Sequence, residues 1–247
     1  MSDFVNVDTR DGILHLEMNR PEKMNALDLG MYRAMADAIE GANHDDSVRV
    51  ILITGAGDAF CSGNDLKDFM QNPPRDESFP AFVFIRALVD AEKPLVAAVN
   101  GLAVGIGTTM LLHCDLVLAS REAKFSLPFV HLGLCLEAGA SLLLPKLCGH
   151  QQAAELTLLG EPFDVSRAER IGLVNRVVER EALRETALEQ VARLASLPAN
   201  AVQATRQLLK APLRDPVHRA VQDEIRNFIA LLEQPAAQHK LSAFLDR

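Results

Sequence analysis

The sequence predicts an α/β fold in which strand–helix units repeat, followed by a mainly helical C-terminal part. Three runs rich in branched apolar residues, at positions 48–53, 95–99 and 116–119, have the length and composition of buried β-strands. The first two runs each end at a turn and continue through a glycine-containing loop into a helical pattern. From Glu137 onward helical patterns predominate. With 247 residues, the chain is long enough to bury a substantial core.

A first helix is predicted over residues 29–40, ahead of the first strand. Met31, Met35 and Ile39 recur at a spacing of four, which places them on one helix face. Asp28 directly precedes this pattern, and a short carboxylate side chain is a typical N-cap. We therefore expect a helix that begins at residue 29 and packs its methionine face on the core.

Two strand–turn–loop–helix units resemble each other along the chain. In the first, Gly55-Ala56-Gly57 leads to Ser62-Gly63-Asn64-Asp65. In the second, Asn100-Gly101 leads to Val104-Gly105-Ile106-Gly107. Recurrence of one such unit indicates a repeated strand–helix architecture.

The C-terminal third is predicted to be helical with one short strand at residues 173–178. Helical patterns cover residues 138–147, 151–159, 182–197, 201–208 and 217–232. No low-complexity linker interrupts the chain, and no boundary is visible before about residue 190. We therefore divide the chain into a core at residues 1–190 and a helical region at residues 191–247 that would pack or oligomerise.

Composition and charge limit the classes of partner. Charged residues make up 23% of the chain and the formal net charge is −8, so the basic excess of a nucleic-acid-binding protein is missing. The longest apolar stretches are too short for a membrane span, and residues 1–10 do not resemble a signal peptide. We therefore expect no nucleic-acid partner, no membrane partner and a cytoplasmic location.

The cysteines and histidines give no support to a metal site. Cys61, Cys114, Cys135 and Cys148 are widely spaced, which favours free thiols over disulfides or metal ligation. The seven histidines are scattered, and no HExxH motif is present. We therefore expect neither a metal nor a redox cofactor.

The two glycine loops begin like the dinucleotide-binding fingerprint but do not complete it. Phe60 and Met110 stand where its third glycine would be, and P-loop and nucleophile-elbow motifs are also missing. Each loop precedes a helix, whose first N–H groups lack partners and carry the positive end of its dipole. Two such loops facing one another would hold an oxyanion between two donors. The alternative is that both are only tight turns.

Glu137 differs from the other acidic residues because its neighbours are apolar or small. It lies in the segment Leu132-Gly133-Leu134-Cys135-Leu136-Glu137-Ala138-Gly139. Poor solvation would raise its pKa toward the range useful for a general base. The alternative is an exposed residue at a helix N-terminus, where the dipole favours a carboxylate.

Five segments carry a family resemblance. They are residues 19–27 (NRPEKMNAL), 59–66 (AFCSGNDL), 93–105 (KPLVAAVNGLAVG), 114–115 (CD) and 168–175 (AERIGLVN). In this order and spacing they resemble the crotonase (enoyl-CoA hydratase/isomerase) superfamily over nearly the whole chain. The resemblance implies a crotonase-like spiral of ββα repeats with a helical C-terminal trimerisation region, assembled as a homotrimer or hexamer. It also implies an acyl-CoA thioester substrate, with CoA as part of the substrate and no separate cofactor.

The resemblance also implies the site residues. Two backbone N–H groups polarise the thioester carbonyl in this family, and they correspond to those of Asn64 and Ile106. The loops at residues 23–26 and 62–66 would line the CoA site, with Lys67 as a phosphate contact. The implied substrate-binding residues are Lys23, Ala26, Ser62, Gly63, Asp65, Leu66, Lys67 and Phe129.

Two departures from the family pattern argue against the standard hydratase mechanism. Enoyl-CoA hydratases use two glutamates around one water, and these correspond to Thr109 and Phe129 here. Neither side chain is a base at neutral pH, and Phe129 would occupy the space of the water.

Residues 128–133 (PFVHLG) and 137–141 (EAGAS) instead resemble the peroxisomal-type Δ3,Δ2-enoyl-CoA isomerase branch. The catalytic glutamate of that branch matches Glu137. Leu136 and Ala140 depart from it, because the branch commonly has Pro before this glutamate and Ser three residues after it. Isomerisation needs one base that moves a proton from C2 to C4 beside an oxyanion hole. We therefore expect an isomerase of unsaturated fatty acyl-CoA breakdown.

Other functions stay open at this stage. Glu137 would be a nucleophile in a dehalogenase of aromatic acyl-CoA, but residues 80–92 contain no histidine to assist it. Hydratase-like activity through Glu137 and a rearranged water is a second alternative. A non-catalytic acyl-CoA-binding protein is a third.

The surroundings of the site are predicted more loosely. Phe79, Phe82, Phe84 and Phe129 are expected in the pocket walls. His131 is interpreted as a hydrogen-bonded structural residue in an apolar strand and not as a catalytic group.

Overall fold

Two β-sheets lie at the centre of the computed structural model, which describes residues 2–245. The strands are β1 (Val5–Arg10), β2 (Ile13–Met18), β3 (Val50–Gly55), β4 (Ala59–Cys61), β5 (Leu95–Val99), β6 (Leu102–Val104), β7 (Leu116–Ser120), β8 (Lys124–Ser126), β9 (Phe163–Asp164) and β10 (Arg176–Val178). The larger sheet has the order β1-β2-β3-β5-β7-β10, and the smaller has the order β4-β6-β8-β9. Strand pairs are parallel except β1 with β2 and β8 with β9.

Helices separate and cover the strands. They are α1 (Leu29–Asn43), α2 (Leu66–Gln71), α3 (Pro80–Asp90), α4 (Ile106–Thr109), α5 (Ala140–Cys148), α6 (His150–Ala154), α7 (Val165–Arg170), α8 (Arg180–Ser196), α9 (Ala199–Lys210), α10 (Arg214–Leu232) and α11 (Pro235–Leu245). Short 3-10 helices cover Pro21–Lys23, Met110–His113, Pro128–Leu132 and Ala211–Leu213, and Glu155–Leu159 forms a π-helical turn.

The chain alternates between the two sheets and so winds into a spiral. Strands β3, β5 and β7 pair within the larger sheet, and each is followed by a strand of the smaller sheet, β4, β6 or β8. Helices follow these strand pairs, α2 after β4 and α4 after β6. The repeated ββα unit confirms the predicted fold class, and the β7–β8 pair adds a turn that the sequence pattern did not show.

Residues 50–53 of strand β3 are all apolar, because both faces of this part of the strand are covered. Ile51 and Ile53 face the main core, while Val50 and Leu52 face a second cluster beneath α8. The residues of α8 in this second cluster are Leu183, Ala187 and Val191. The predicted strand at residues 48–53 begins two residues later, at Val50, because Val48 N–H donates to Asp45 O in a turn.

The first helix confirms its prediction and gives the physical reason for its start. Asp28 is extended, and its side chain accepts a hydrogen bond from Met31 N–H at 2.8 Å. Met31, Met35 and Ile39 are fully buried in the main core.

Two predicted elements start later than the sequence pattern indicated. Helix α5 begins at Ala140 instead of residue 138, because Ala138 and Gly139 adopt left-handed φ angles of 60° and 71°. The strand predicted from residue 173 begins at Arg176 as β10. Leu173 and Val174 instead donate their N–H groups to Ala168 O behind α7.

The predicted boundary at residue 190 lies inside α8, which packs on the sheet along its whole buried face. Helices α10 and α11 also contribute to the main core, through Val221, Phe228 and Leu241 among others. Residues 1, 246 and 247 of the two predicted regions lie outside the described part of the chain. The oligomerising role of residues 191–247 stays a prediction.

Candidate active site

The two glycine loops that the sequence singled out lie against each other. Strands β4 and β6 are parallel neighbours, so the loops that follow them leave the smaller sheet side by side. A Cβ atom on Gly107 would lie 2.4 Å from Cys61 O, and one on Gly63 would lie 3.2 Å from Val104 O. The close approach therefore requires glycine at residue 107, and at residue 63 the positive φ of 101° adds to a tight contact in favouring glycine.

The backbone geometry places the N–H groups of both predicted oxyanion donors, Asn64 and Ile106, outside the hydrogen bonds of the adjacent pairing and helix. Leu27 donates to Gly63 O and accepts from Asp65 N–H, so its bonds flank Asn64. In a parallel pairing of this kind, the N–H of the flanked residue, here Asn64, points away from Leu27. Ile106 is the first residue of α4, where a helix N–H has no intrahelical acceptor.

Tyr32 holds the side chain of Asn64, whose backbone N–H is the first predicted donor. Its hydroxyl donates a hydrogen bond to Asn64 Oδ1. The ring packs at 5.6 Å from that of Phe84, and the residue is almost fully buried. Burial raises the pKa of Tyr32 well above its usual value, and the neighbouring Cys61 and Glu137 side chains raise it further. Tyr32 therefore donates its hydrogen bond as a neutral phenol next to the loop at residues 62–66.

Glu137 is buried, with 6% of its surface exposed. Burial raises its pKa to about 8; a hydrogen bond from Thr109 opposes the shift and the charge of Glu224 adds to it. Thr109 Oγ1 donates that bond to Glu137 Oε1. Thr109 ends the short helix that Ile106 begins, so α4 carries one predicted oxyanion donor and a contact to the Glu137 carboxylate one turn apart.

The loop at residues 20–27 is joined to the loop at residues 62–66. Asn25 is fully buried, and its side chain accepts from Arg20 N–H and donates to Ala56 O and Ala59 O. Ser62 donates its N–H to Met24 O. These bonds join the predicted CoA-binding residues of the two loops into one connected region, in which Gly63 is buried and the others are at least partly exposed. They are Lys23, Ala26, Ser62, Gly63, Asp65 and Leu66.

The side chain of Asp65 is already engaged within the protein. It accepts from the N–H groups of Lys67 and Asp68 at the start of α2 and from Arg20 Nη1 at 2.8 Å. Partial burial opposes ionisation of Asp65, but these hydrogen bonds outweigh it and lower its pKa. Any substrate contact at this residue therefore falls to its backbone. Lys67 is exposed on α2.

Phe129, which was predicted in the pocket wall, lies beside the second glycine loop. Its ring would lie 3.8 Å from a Cβ atom on Gly105, and it is buried. The other predicted pocket residues divide into two groups. Phe79 and Phe82 belong to an aromatic cluster with Phe69 and Phe228, whereas Phe84 packs behind Tyr32.

His131 forms the structural hydrogen bond expected of it, with Nε2 lying 2.6 Å from Leu159 O. Its predicted position in a strand is wrong, because residues Pro128–Leu132 form a 3-10 helix. Pro128 starts this helix, and its fixed φ angle favours a helical turn over a strand.

Four residues that contact the site from distant parts of the chain were not identified from the sequence. They are Tyr32, Thr109 as a hydrogen-bond donor, His113 and Glu224. A polar residue within an otherwise apolar helical face was the only signal that the sequence offered for Tyr32 and Glu224.

The described residues hold no cluster of metal ligands. Across residues 2–245, no group of three or more His, Cys, Asp or Glu side chains is placed to bind a metal ion. Over the same residues, no helix is both long enough and apolar enough to cross a membrane.

Known proteins resemble this chain over most of its length. The family model described as "Enoyl-CoA hydratase/isomerase" matches residues 8–247. The 1,2-epoxyphenylacetyl-CoA isomerase of Escherichia coli is 34% identical over 85% of this chain and 83% of its own. Carnitinyl-CoA dehydratase of Proteus mirabilis is also 34% identical, over 85% of this chain and 82% of its own. Human enoyl-CoA delta isomerase 2 is 33% identical over 88% of this chain, which spans 57% of the human protein.

Solved structures extend the similarity to the backbone. Pseudomonas aeruginosa OdaA is 44% identical with a TM-score of 0.96, covering 100% of both chains. An enoyl-CoA hydratase/isomerase from Pseudoalteromonas atlantica is 39% identical with a TM-score of 0.94, over 99% of this chain and 97% of its own. The chain therefore belongs to the enoyl-CoA hydratase/isomerase family and is an acyl-CoA-processing enzyme of the crotonase superfamily.

Proposed function

We propose that this enzyme is a Δ3,Δ2-enoyl-CoA isomerase with Glu137 as its single base. The observation that carries the proposal is the hydrogen bond between Thr109 and the buried carboxylate of Glu137. At the two positions where hydratases have glutamates, this chain has a hydroxyl that contacts Glu137 and the buried ring of Phe129. One base and no second acid suits proton transfer within a substrate better than addition of water.

The proposed reaction conserves charge and protons within the site. Glu137 removes a proton from C2, and the electron pair moves onto the thioester oxygen to form a dienolate. The N–H groups of Asn64 and Ile106 stabilise that negative oxygen, because they are fixed by the backbone before the reaction. Glu137 then returns the proton at C4, and the double bond lies between C2 and C3.

The relatives support this choice without separating it from its alternatives. Among the similar proteins are isomerases of acyl-CoA and also a dehydratase. The binding of CoA by the region of residues 23–26 and 62–67 is part of the proposal. Lys23 and Lys67 are exposed there, and cationic side chains attract the phosphates of CoA.

The deciding experiment compares turnover of trans-3-hexenoyl-CoA by the wild type and the Glu137→Gln variant, followed by the absorbance of the conjugated thioester. We expect the wild type to be active and the variant to lose activity by roughly several hundred-fold, because the amide cannot accept the proton. Glutamine keeps the size of the side chain and a hydrogen-bond acceptor for Thr109. Glu233→Gln, at an exposed position, is the matched control and should keep full activity.

Three outcomes would overturn the proposal. Activity that survives Glu137→Gln would remove Glu137 as the base. Faster hydration of crotonyl-CoA than isomerisation would indicate a hydratase. Binding of several acyl-CoA thioesters without turnover would indicate a non-catalytic acyl-CoA-binding protein.

A further inference from the structure

The segment that follows Glu137 adopts a backbone conformation that needs external support. Ala138 has a φ of 60° and Gly139 a φ of 71°, so two successive residues are left-handed. This conformation is unfavourable for alanine, by roughly 1–2 kcal/mol. Helix α5 starts directly afterwards, and Gly139 offers no side chain to cap it. Neighbouring elements must therefore hold the start of α5 in place.

Glu224 of helix α10 supplies that support through both of its carboxylate oxygens. Oε2 accepts from Gly139 N–H at 2.6 Å, and Oε1 accepts from Ser141 N–H at 2.8 Å. These N–H groups belong to the N-cap residue of α5 and to its first turn, where the helix offers no acceptor. His113, at the end of the 3-10 helix Met110–His113, contacts the same segment with its Nε2 2.7 Å from Ala138 O. Glu224, on the distant helix α10, thus caps the N-terminus of α5.

The position is a costly one for a carboxylate. Glu224 is 6% exposed, and burial raises its pKa although the bonds from Ser141 and Gly139 oppose the shift. Burying a charged group opposes folding unless hydrogen bonds compensate for the lost water. Packing alone does not account for Glu224, because an apolar side chain of the same size would leave the N–H groups of Gly139 and Ser141 without their acceptors.

We propose that Glu224 is a positioning residue that fixes the Glu137 loop for proton transfer. The inference rests on the proposed isomerase function for the role of Glu137. Glu224 does not touch the substrate. It acts by holding Gly139 and Ser141, so that the carboxylate of Glu137 stays beside Thr109 and within reach of both C2 and C4. Such alignment matters, because a misplacement of about 1 Å can cost roughly a hundredfold in rate.

Glu224 also influences the ionisation of Glu137 by its negative charge, which raises the pKa of that base. Other titratable groups face the pair from several elements. They are Tyr32 of α1, Cys61 of β4, Cys135 of the Glu137 loop and Asp223 of α10. The thiol and phenol pKa values are all raised, so these groups are neutral near pH 7. Removal of the Glu224 charge should therefore lower the pKa of Glu137.

The test measures the pH profile of isomerisation in the wild type, Glu224→Gln, Glu224→Ala and the control Glu233→Gln. Glutamine keeps one acceptor and removes the charge, whereas alanine removes both acceptors. We expect kcat to fall about tenfold in Glu224→Gln and about a hundredfold in Glu224→Ala, with KM within about threefold of wild type. The acidic limb of kcat/KM should move to lower pH in both variants and stay in place in the control.

Two results would overturn the inference. One is a kcat within twofold of wild type in both variants; the other is an unmoved acidic limb. If Glu224→Ala does not fold, Glu224→Gln decides alone.

If the isomerase proposal itself fails, the wild type will show no turnover. This outcome differs from a loss of activity in the Glu224 variants alone. Without wild-type turnover, hydrogen exchange of the Gly139 and Ser141 amides is compared between wild type and Glu224→Gln. Faster exchange in the variant would support the pairing, and equal exchange would refute it.

Discussion

Thr109 changes the chemistry of the second glycine loop by a single hydroxyl. The position corresponds to a hydratase glutamate, yet here it donates a hydrogen bond to Glu137. That bond lowers the pKa of Glu137, while burial and the charge of Glu224 raise it. The resulting pKa of about 8 means that activity should rise with pH until Glu137 is ionised.

We predict that Thr109→Val moves the acidic limb of kcat/KM to higher pH. Valine keeps the shape of the side chain but removes the bond that favours the ionised carboxylate, so the pKa of Glu137 rises. The pH profile of the isomerase assay measures the shift.

The matched control is Thr108→Val. Its hydroxyl donates to Ala103 O at 2.7 Å, away from Glu137. This change should lower the free energy of unfolding by about 1 kcal/mol and leave the pH profile unmoved. A limb that moved to lower pH in Thr109→Val would contradict the prediction.

The sequence was sufficient to propose Glu137 as the base but not to identify the residues that contact it. Glu137 could be identified because it is an acidic residue among apolar neighbours and matches a family motif. Tyr32, Thr109 and Glu224 approach the site only through tertiary structure, with Glu224 lying 85 residues from Gly139. No local pattern records contacts of that length, so only the fold could reveal them.

At the scale of elements, helix α4 joins the proposed oxyanion donor Ile106 to Thr109, which contacts the proposed base Glu137. It is only four residues long, and Gly107 sets its distance from β4. Because a Cβ atom there would lie 2.4 Å from Cys61 O, no small adjustment of a flexible side chain can make room for it.

We predict that Gly107→Ala lowers kcat/KM by roughly a hundredfold, because α4 must move away from the loop of Asn64 and the two donors separate. The free energy of unfolding should also fall, by about 1–3 kcal/mol. Isomerase kinetics and chemical denaturation measure the two effects.

Gly41→Ala provides the comparison. That glycine lies in α1 with nothing within 4 Å of an added Cβ atom, so alanine should stabilise the helix by up to about 1 kcal/mol. Its activity should stay at the wild-type level. Full activity in Gly107→Ala would show that the spacing of the loops is not critical.

Elements with strong patterns were predicted well, and those set by backbone conformation were not. The fully apolar strands and the capped helix α1 were found because burial and capping leave a local signature. The start of α5 was missed because alanine at residue 138 gives no sign of a left-handed conformation. That conformation is imposed by Glu224 and His113 from other elements.

At the scale of the whole molecule, helix α9 presents an apolar surface on the outside. Its inner side is tied to the body by Arg206, which binds Asp115 at 2.7 Å, and by Lys210, which donates to His113 O. Leu208 and Leu209 point outward with 76% and 75% of their surfaces exposed. Adjacent exposed leucines of this kind favour a contact with another protein surface. They support the predicted trimer or hexamer, which stays a prediction.

We predict that the wild type sediments as a multiple of the 27.0 kDa chain, a trimer or a hexamer, and that the double variant Leu208→Asp/Leu209→Asp sediments as smaller species. Two carboxylates would be buried without partners in the interface, which opposes association. Analytical ultracentrifugation measures both.

The control is Val7→Asp, another exposed apolar position, on the edge strand β1. It should leave the mass unchanged. A wild type that sediments as a single chain would refute the prediction of an oligomer.

The smaller sheet also influences the spacing of the two predicted oxyanion donors. Asn64 follows β4 and Ile106 follows β6, so the two donors extend neighbouring strands. Such strands lie about 4.8 Å apart, and an oxygen that accepts two N–H groups lies about 2.9 Å from each nitrogen. We infer that the ladder spacing common to β-sheets sets the width of the proposed oxyanion hole.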